Sequence, residues 1–175
     1  MNLFSLKVLG VLLLIGAGSG IGFYRAYQLK RRIADIIVLQ NAVRLLETEI
    51  YYALTPLPQA LEHLDEKFPV RIQPFFQQVR FAMQNSHMPV YQAWELAMQC
   101  LERISFCKEE ELYALRSFGL SLGDSDIEEQ KKNFQLLQHR LQHALELAEQ
   151  ICRKQERIWQ YMGVCVSLAV ALMLY

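Results

Sequence analysis

IIVLQNAVRLLETEIYYALTPLPQAL, residues 36–61, contains a helix seam, a helix stop and a helix start in succession. Ile36, Leu39, Val43, Leu46, Ile50 and Ala53 recur at spacings of 3, 4, 3, 4 and 3. That spacing lines them along one narrow stripe of a helix. Thr55 is a natural N-cap, and Pro56 suits the first helical position, where a missing N–H costs nothing. One helix is therefore expected to end near Leu54, and a second to run from Pro56 to about Lys67.

Outward from this stretch the helical signals continue, and no segment shows sustained two-residue alternation. A third helix is expected over Val70 to Gln84, with Pro74 in its first turns, followed by a loop at Asn85-Ser86-His87. Pro89 opens a fourth helix reaching Ile104. Ser105 is the expected cap of a fifth, whose acidic start (Glu109, Glu110, Glu111) suits the positive end of the helix dipole, and Gly123 is its expected stop. Ser125 and Glu128 form an S-x-x-E capping box for the last helix. There Phe134, Leu137, Leu141, Ala144, Ala148, Ile151 and Ile158 hold a heptad register broken at Gln155. Pro56-Leu57-Pro58-Gln59-Ala60-Leu61-Glu62 is echoed by Pro89-Val90-Tyr91-Gln92-Ala93-Trp94-Glu95. Two copies are too few for a solenoid, so they read as two helix starts in similar surroundings.

The ends differ from the middle. Val8 to Tyr24 and Ile158 to Tyr175 are uncharged runs of 17 and 18 residues, at the short end of what spans a bilayer. Lys7 and Gly16-Ala17-Gly18 could mark a signal peptide, but the helical pattern continuing past Arg32 favours an uncleaved anchor. Arg25, Lys30, Arg31 and Arg32 follow the first run, and Arg153, Lys154 and Arg157 precede the second. These collars suit anionic headgroups, with Tyr24, Tyr27, Trp159 and Tyr161 as interfacial aromatics. Basic flanks remain on the cytoplasmic side, which makes the chain a hairpin in the bilayer. Gly16, Gly18, Gly20, Gly22, Gly163, Ser167 and Ala171 form small-residue stripes that let membrane helices approach closely. The expected fold is all-α: a cytoplasmic six-helix bundle over 26–157, flanked by transmembrane helices over 1–25 and 158–175.

Charge and motif content narrow the function. The whole chain balances 18 basic against 18 acidic residues, but residues 33–152 carry 10 basic and 17 acidic, a net −7. An acidic body does not neutralise phosphates, which argues against nucleic acid. Cys100, Cys107, Cys152 and Cys165 show no CxxC pairing and read as free thiols. No phosphate loop, nucleophile elbow or zinc-protease motif is present, so no catalytic site, cofactor or metal is expected. His139 and His143 are four apart on the last helix with Glu146 on the same stripe; a metal site would draw further ligands from facing helices. Glu47 and Glu49 stand two apart and so point to different faces. Either is open to a bond with its own loop near Thr55 or to a partner's basic residue.

Leu45-Leu46-Glu47-Thr48-Glu49-Ile50-Tyr51-Tyr52 followed by Thr55-Pro56-Leu57-Pro58-Gln59-Ala60-Leu61 resembles the stage III sporulation protein AB family of endospore-forming bacteria. A second ordered match is Leu120-Ser121-Leu122-Gly123-Asp124-Ser125-Asp126 with Glu129-Gln130. The resemblance implies a subunit of the channel complex between mother cell and forespore, in the mother-cell membrane facing the forespore. The family's helical domain is similar to the inner-membrane platform proteins of type II secretion and type IV pilus systems, which couple a cytoplasmic ATPase to their machines. Implied partners are that secretion-type ATPase and ring-forming sporulation membrane proteins, besides the lipid bilayer. The candidate partner interface is Glu47, Glu49, Tyr51, Tyr52, Thr55, Pro56, Leu57 and Pro58. Two other expectations compete: a tethered scaffold or homo-oligomer associating through its heptad seams, and a metal-binding membrane protein using His139 and His143.

Overall fold

In a computed structural model, residues 3–67, 71–86, 88–122 and 127–174 are described, with side chains over 24–63, 71–86, 88–122, 128–155 and 158. The described residues form six α-helices and no strands: α1 (Leu3–Tyr51), α2 (Leu57–Lys67), α3 (Gln73–Asn85), α4 (Val90–Ile104), α5 (Glu109–Ser121) and α6 (Ile127–Leu174). Two compact units result, one of Arg32–Ala148 and one of residues 1–31 with 149–175.

In the Arg32–Ala148 unit both seams face inward. Ile36, Leu39, Val43 and Leu46 on α1 and Phe134, Leu137, Leu141, Ala144 and Ala148 on α6 are buried. Ile50 is only partly buried and Ala53 is exposed, because α1 stops at Tyr51. A chain of edge-to-face rings ties the helices together: Phe75 on Trp94, Trp94 on Phe118, Phe118 on Phe134, and Phe134 on Tyr51, with centroids 4.7–5.8 Å apart. Such pairs add about 1 kcal/mol each beyond burial. Trp94 donates its indole N–H to the Leu115 carbonyl at 2.9 Å. Its ring lies where a Cβ on Gly119 would be, 2.0 Å from Trp94 Cδ1, so only glycine lets α4 and α5 approach this closely.

The sequence echo is two equivalent helix starts. The Pro56 carbonyl accepts from Gln59 and Ala60, and the Pro89 carbonyl from Gln92 and Ala93. Ala60 with Leu61, and Ala93 with Trp94, then turn into the core. Each glutamate that follows reaches an arginine on the next helix, Glu62 to Arg80 at 3.3 Å and Glu95 to Arg116 at 3.0 Å.

Local assignments shift where side chains find other partners. Both prolines sit at the cap, since their carbonyls accept the first intrahelical bonds. Thr55 does not hold that position, and its hydroxyl donates back to Glu49 at 3.0 Å. Ser105 closes α4, its N–H bonding the Leu101 carbonyl. α5 starts at Glu109, where the Glu111 carboxylate accepts from the Lys108 N–H at 2.5 Å. Lysine has no acceptor to offer, so only that half of a capping box forms. The heptad stripe of α6 leaves the interior after Ala148: Ile151 is 38% exposed and Ile158 48%. Gly123, Val70 and the Ser125 end of the capping box lie outside the described residues.

In the other unit, Arg31 donates to the Tyr27 hydroxyl at 2.9 Å with its guanidinium 5.1 Å from that ring. Arg153 pairs with Glu149 at 3.0 Å. Among the described residues no helix is long and apolar enough to cross a membrane. The side chains of Val8 to Phe23, and those after Ile158, lie outside the described residues, and with them the stripe Gly16, Gly18, Gly20, Gly22, Gly163, Ser167 and Ala171.

Candidate interaction surface

The expected interface divides into an inner and an outer part. Glu47 accepts from Gln138 of α6 at 2.5 Å. Glu49, its side chain 15% exposed, accepts from Thr55 and lies 3.2 Å from His63 Nδ1 on α2. The two carboxylates do point to different elements, and both are bonded within their own chain. Tyr51 packs on Phe134, and its hydroxyl pKa is raised by burial and then by the Glu47 charge. Leu57 and Pro58 are half-buried. What faces outward is the turn itself: Tyr52 and Leu54 are each 81% exposed, and Ala53 and Pro56 are exposed beside them. Leu54, absent from the expected interface, has φ 52°, a left-handed conformation costing a non-glycine residue about 1–2 kcal/mol.

A second cluster was hidden in the sequence. Arg32 is 3% exposed and pairs with Glu111, itself 1% exposed. It is therefore no lipid-facing collar residue, although Arg25, Lys30 and Arg31 remain exposed. Asp35, also buried, accepts from Arg71 at 2.5 Å and from the Phe106 N–H at 2.8 Å. Arg71 also donates to the Ile104 carbonyl at 3.0 Å and lies 4.8 Å over the Phe106 ring. Two cations and two anions thus clasp the α4–α5 loop to α1. The signal was in the register: extending the seam back from Leu46, Ala42 and Leu39 by the same 3 and 4 spacing lands on Asp35 and Arg32. Within the clasp, burial above all pushes the Cys107 thiol up to about 12. Glu111 and Asp35 push the same way, while Ser105 and Arg32 oppose it. A thiol held neutral is not a nucleophile.

His139 and His143 are exposed on α6. Among the described residues no group of three or more histidines, cysteines or carboxylates is placed to hold a metal. Also along α6, Tyr113, Ser117, Phe118, Asn133, Leu136 and Arg140 border a half-open groove of about 140 Å³ between α5 and α6. Tyr113 is 65% and Leu136 50% exposed at its rim.

The model of the stage III sporulation protein AB family matches residues 7–175. The chain belongs to that family. The stage III sporulation protein AB of Bacillus subtilis (strain 168) is 27% identical over 169 residues, spanning 97% of this chain and 99% of the relative. A solved structure of a stage III sporulation protein AB (SpoIIIAB) superposes with a TM-score of 0.67 at 26% identity, covering 70% of this chain and 97% of that one. Family membership gives the chain a role in sporulation, and it agrees with the resemblance carried by residues 45–61 and 120–130.

Proposed function

We propose that this chain is a non-catalytic platform subunit of a sporulation-specific channel complex between mother cell and forespore, coupling a cytoplasmic ATPase to ring-forming membrane proteins. The observation that carries the reading is the extent of the family match, which runs from residue 7 to residue 175 and so takes in both apolar ends. On this reading those ends, with lengths suited to a thin bilayer crossing, anchor the chain in the mother-cell membrane, and the bundle stands in the cytoplasm. Of the surface expected from the sequence, the bundle offers the assembly an apolar turn at Tyr52, joined by Leu54, while Glu47 and Glu49 are bonded within the chain.

Scaffolding through the heptad seams is the weaker reading, since α1 as far as Leu46 and α6 as far as Ala148 spend their seams on the interior of one chain, leaving Ile151 and Ile158 as the exposed part of the stripe. The test is mild solubilisation of the tagged full-length protein from sporulating cells, followed by identification of what co-purifies. Recovery of an ATPase with other membrane subunits is the expected result. Recovery of the chain alone, from cells where those subunits are present, would sink the proposal.

A further inference from the structure

We propose that Tyr27 and Arg31 on α1 form a binding site for the phosphate of an anionic phospholipid headgroup. The proposal rests on the platform reading for the presence of a bilayer, and it names the lipid class that the unit of residues 1–31 with 149–175 takes.

Charge divides where the fold divides. Residues 32–148, the bundle, carry 11 basic and 16 acidic side chains, a net −5. Residues 1–31 with 149–175 carry 7 basic and 2 acidic, a net +5. Six of those seven basic residues (Arg25, Lys30, Arg31, Arg153, Lys154 and Arg157) lie within seven positions of the uncharged runs 8–24 and 158–175. A positive unit built on apolar runs fits a surface that is both apolar and negative, which an anionic bilayer is. Nucleic acid and free phosphate supply the negative charge without the apolar layer.

Within that unit Arg31 is held ready for a phosphate. Tyr24, Tyr27 and Arg31 fall on one stripe of α1, at spacings of 3 and 4, and the two rings are 62% and 50% exposed. Side chains on a helix lean towards its N-terminus, which for α1 is the direction of the apolar run. Arg31 does so: its Nε donates to the Tyr27 hydroxyl at 2.9 Å, and its guanidinium lies 5.1 Å from that ring centroid. The bond uses Nε and leaves the N–H groups of Nη1 and Nη2 without a carboxylate among the described residues. Parallel N–H groups on a positioned guanidinium grip phosphate at two oxygens. Neighbouring basic residues are used differently. Arg32, about 100° further round the helix, is buried on Glu111, and Arg153 pairs with Glu149 at 3.0 Å.

The pairing of phenol with guanidinium selects a lipid phosphate. A tyrosine at a bilayer sits at headgroup level, its ring against the acyl chains and its hydroxyl in water. Fixing Arg31 to that hydroxyl holds its charge at the same level, among phosphodiesters that the bilayer itself keeps there. The guanidinium is positioned before the lipid arrives, so little side-chain freedom is lost on binding. In a zwitterionic lipid the headgroup's own cation competes for the phosphate; in an anionic lipid it has no such competitor. A lysine at this position would keep the charge but offer a single point in place of a fork.

The test uses the full-length chain reconstituted in vesicles, with brominated phosphatidylglycerol or brominated phosphatidylcholine as quencher of tryptophan fluorescence. Tyr24→Trp places the reporter on the stripe of the site, in a Trp159→Phe background, while Trp94 stays buried in the bundle as a constant signal. Phosphatidylglycerol is expected to quench more strongly. Arg31→Gln is expected to lower its relative association constant by up to about fivefold, the contribution of one basic side chain at an anionic surface. Arg31→Lys should recover only part of that loss. Lys132→Gln, exposed on the bundle, should leave the ratio unchanged. Arg31 is exposed, so its variants should keep the fold, checked as unchanged helicity by circular dichroism. Equal quenching by the two lipids, an unaltered ratio in Arg31→Gln or Arg31→Lys, or an equal loss in Lys132→Gln would each overturn the proposal. Loss of the preference with inorganic phosphate, but not with sodium chloride of equal ionic strength, would also overturn it and make this a small-anion site. Failure of the platform reading is a separate result: the lipid preference persists while no ATPase or other membrane subunit co-purifies.

Discussion

Cys107 and Arg32 show how little of the charge near the α4–α5 loop is free to react. The Cys107 thiol, with an ordinary value of 9.0, is pushed up to about 12, mainly by burial. Between those values the unfolded chain has released a proton that the folded chain still holds. The folded state binds more protons in this window, so its stability falls as pH rises from about 9, with a slope approaching about 1.4 kcal/mol per pH unit. Cys107→Ser is expected to flatten that alkaline limb, measured as unfolding midpoint against pH. The Arg32–Glu111 pair makes a different prediction. Arg32→Met alone strands a buried carboxylate and should cost about 3–5 kcal/mol, while Arg32→Met with Glu111→Leu should recover much of the loss. Equal destabilisation by the single and double variants in chemical denaturation would show that the pair acts through more than its charge.

Among the elements, the α1–α2 turn separates stability from use. Leu54→Gly removes the left-handed strain of about 1–2 kcal/mol at a small cost in unfolded-state entropy. The variant should unfold at the same or a higher midpoint in thermal denaturation. At the α4–α5 crossing, Gly119→Ala should lower the midpoint clearly, because the added carbon meets the Trp94 ring, which is held by its own bond to Leu115. Helix existence was legible in sequence because each seam has a 3–4 period, three of the four short helices (α2, α3 and α4) open near a proline, and α5 opens on three glutamates. Helix starts were less so. Thr55 and Ser105 have the chemistry of caps, but Thr55 spends its hydroxyl on Glu49 and Ser105 ends the preceding helix. The turn was found through Tyr52, whereas Leu54 was marked only as the end of the first helix. Only the backbone angle, set by tertiary bonds around Glu49, shows it to be displayed. The clasp was missed because Arg32 was grouped by adjacency with Arg31, although its register placed it with Asp35 and Leu39.

For the whole molecule, one heptad register on α6 serves two environments. Leu141 is fully buried in the core cluster, while Ile151, on the same stripe beyond Ala148, is partly open. Sequence periodicity assigns them the same role, since a register records which face a residue occupies and carries no information about what covers that face. The compact unit Arg32–Ala148 ends where the covering ends. Leu141→Ala should therefore cost about 2–5 kcal/mol, and Ile151→Ala less than about 1 kcal/mol, in the full-length chain. Amide exchange locates the effect as well as sizing it. Leu141→Ala should speed exchange along residues 36–46 of α1 and 93–101 of α4, the helices whose buried faces complete the same core. Ile151→Ala should leave those amides unchanged. If Ile151→Ala opened the same amides as Leu141→Ala, the two units would unfold as one, and the bundle's core would have to extend past Ala148.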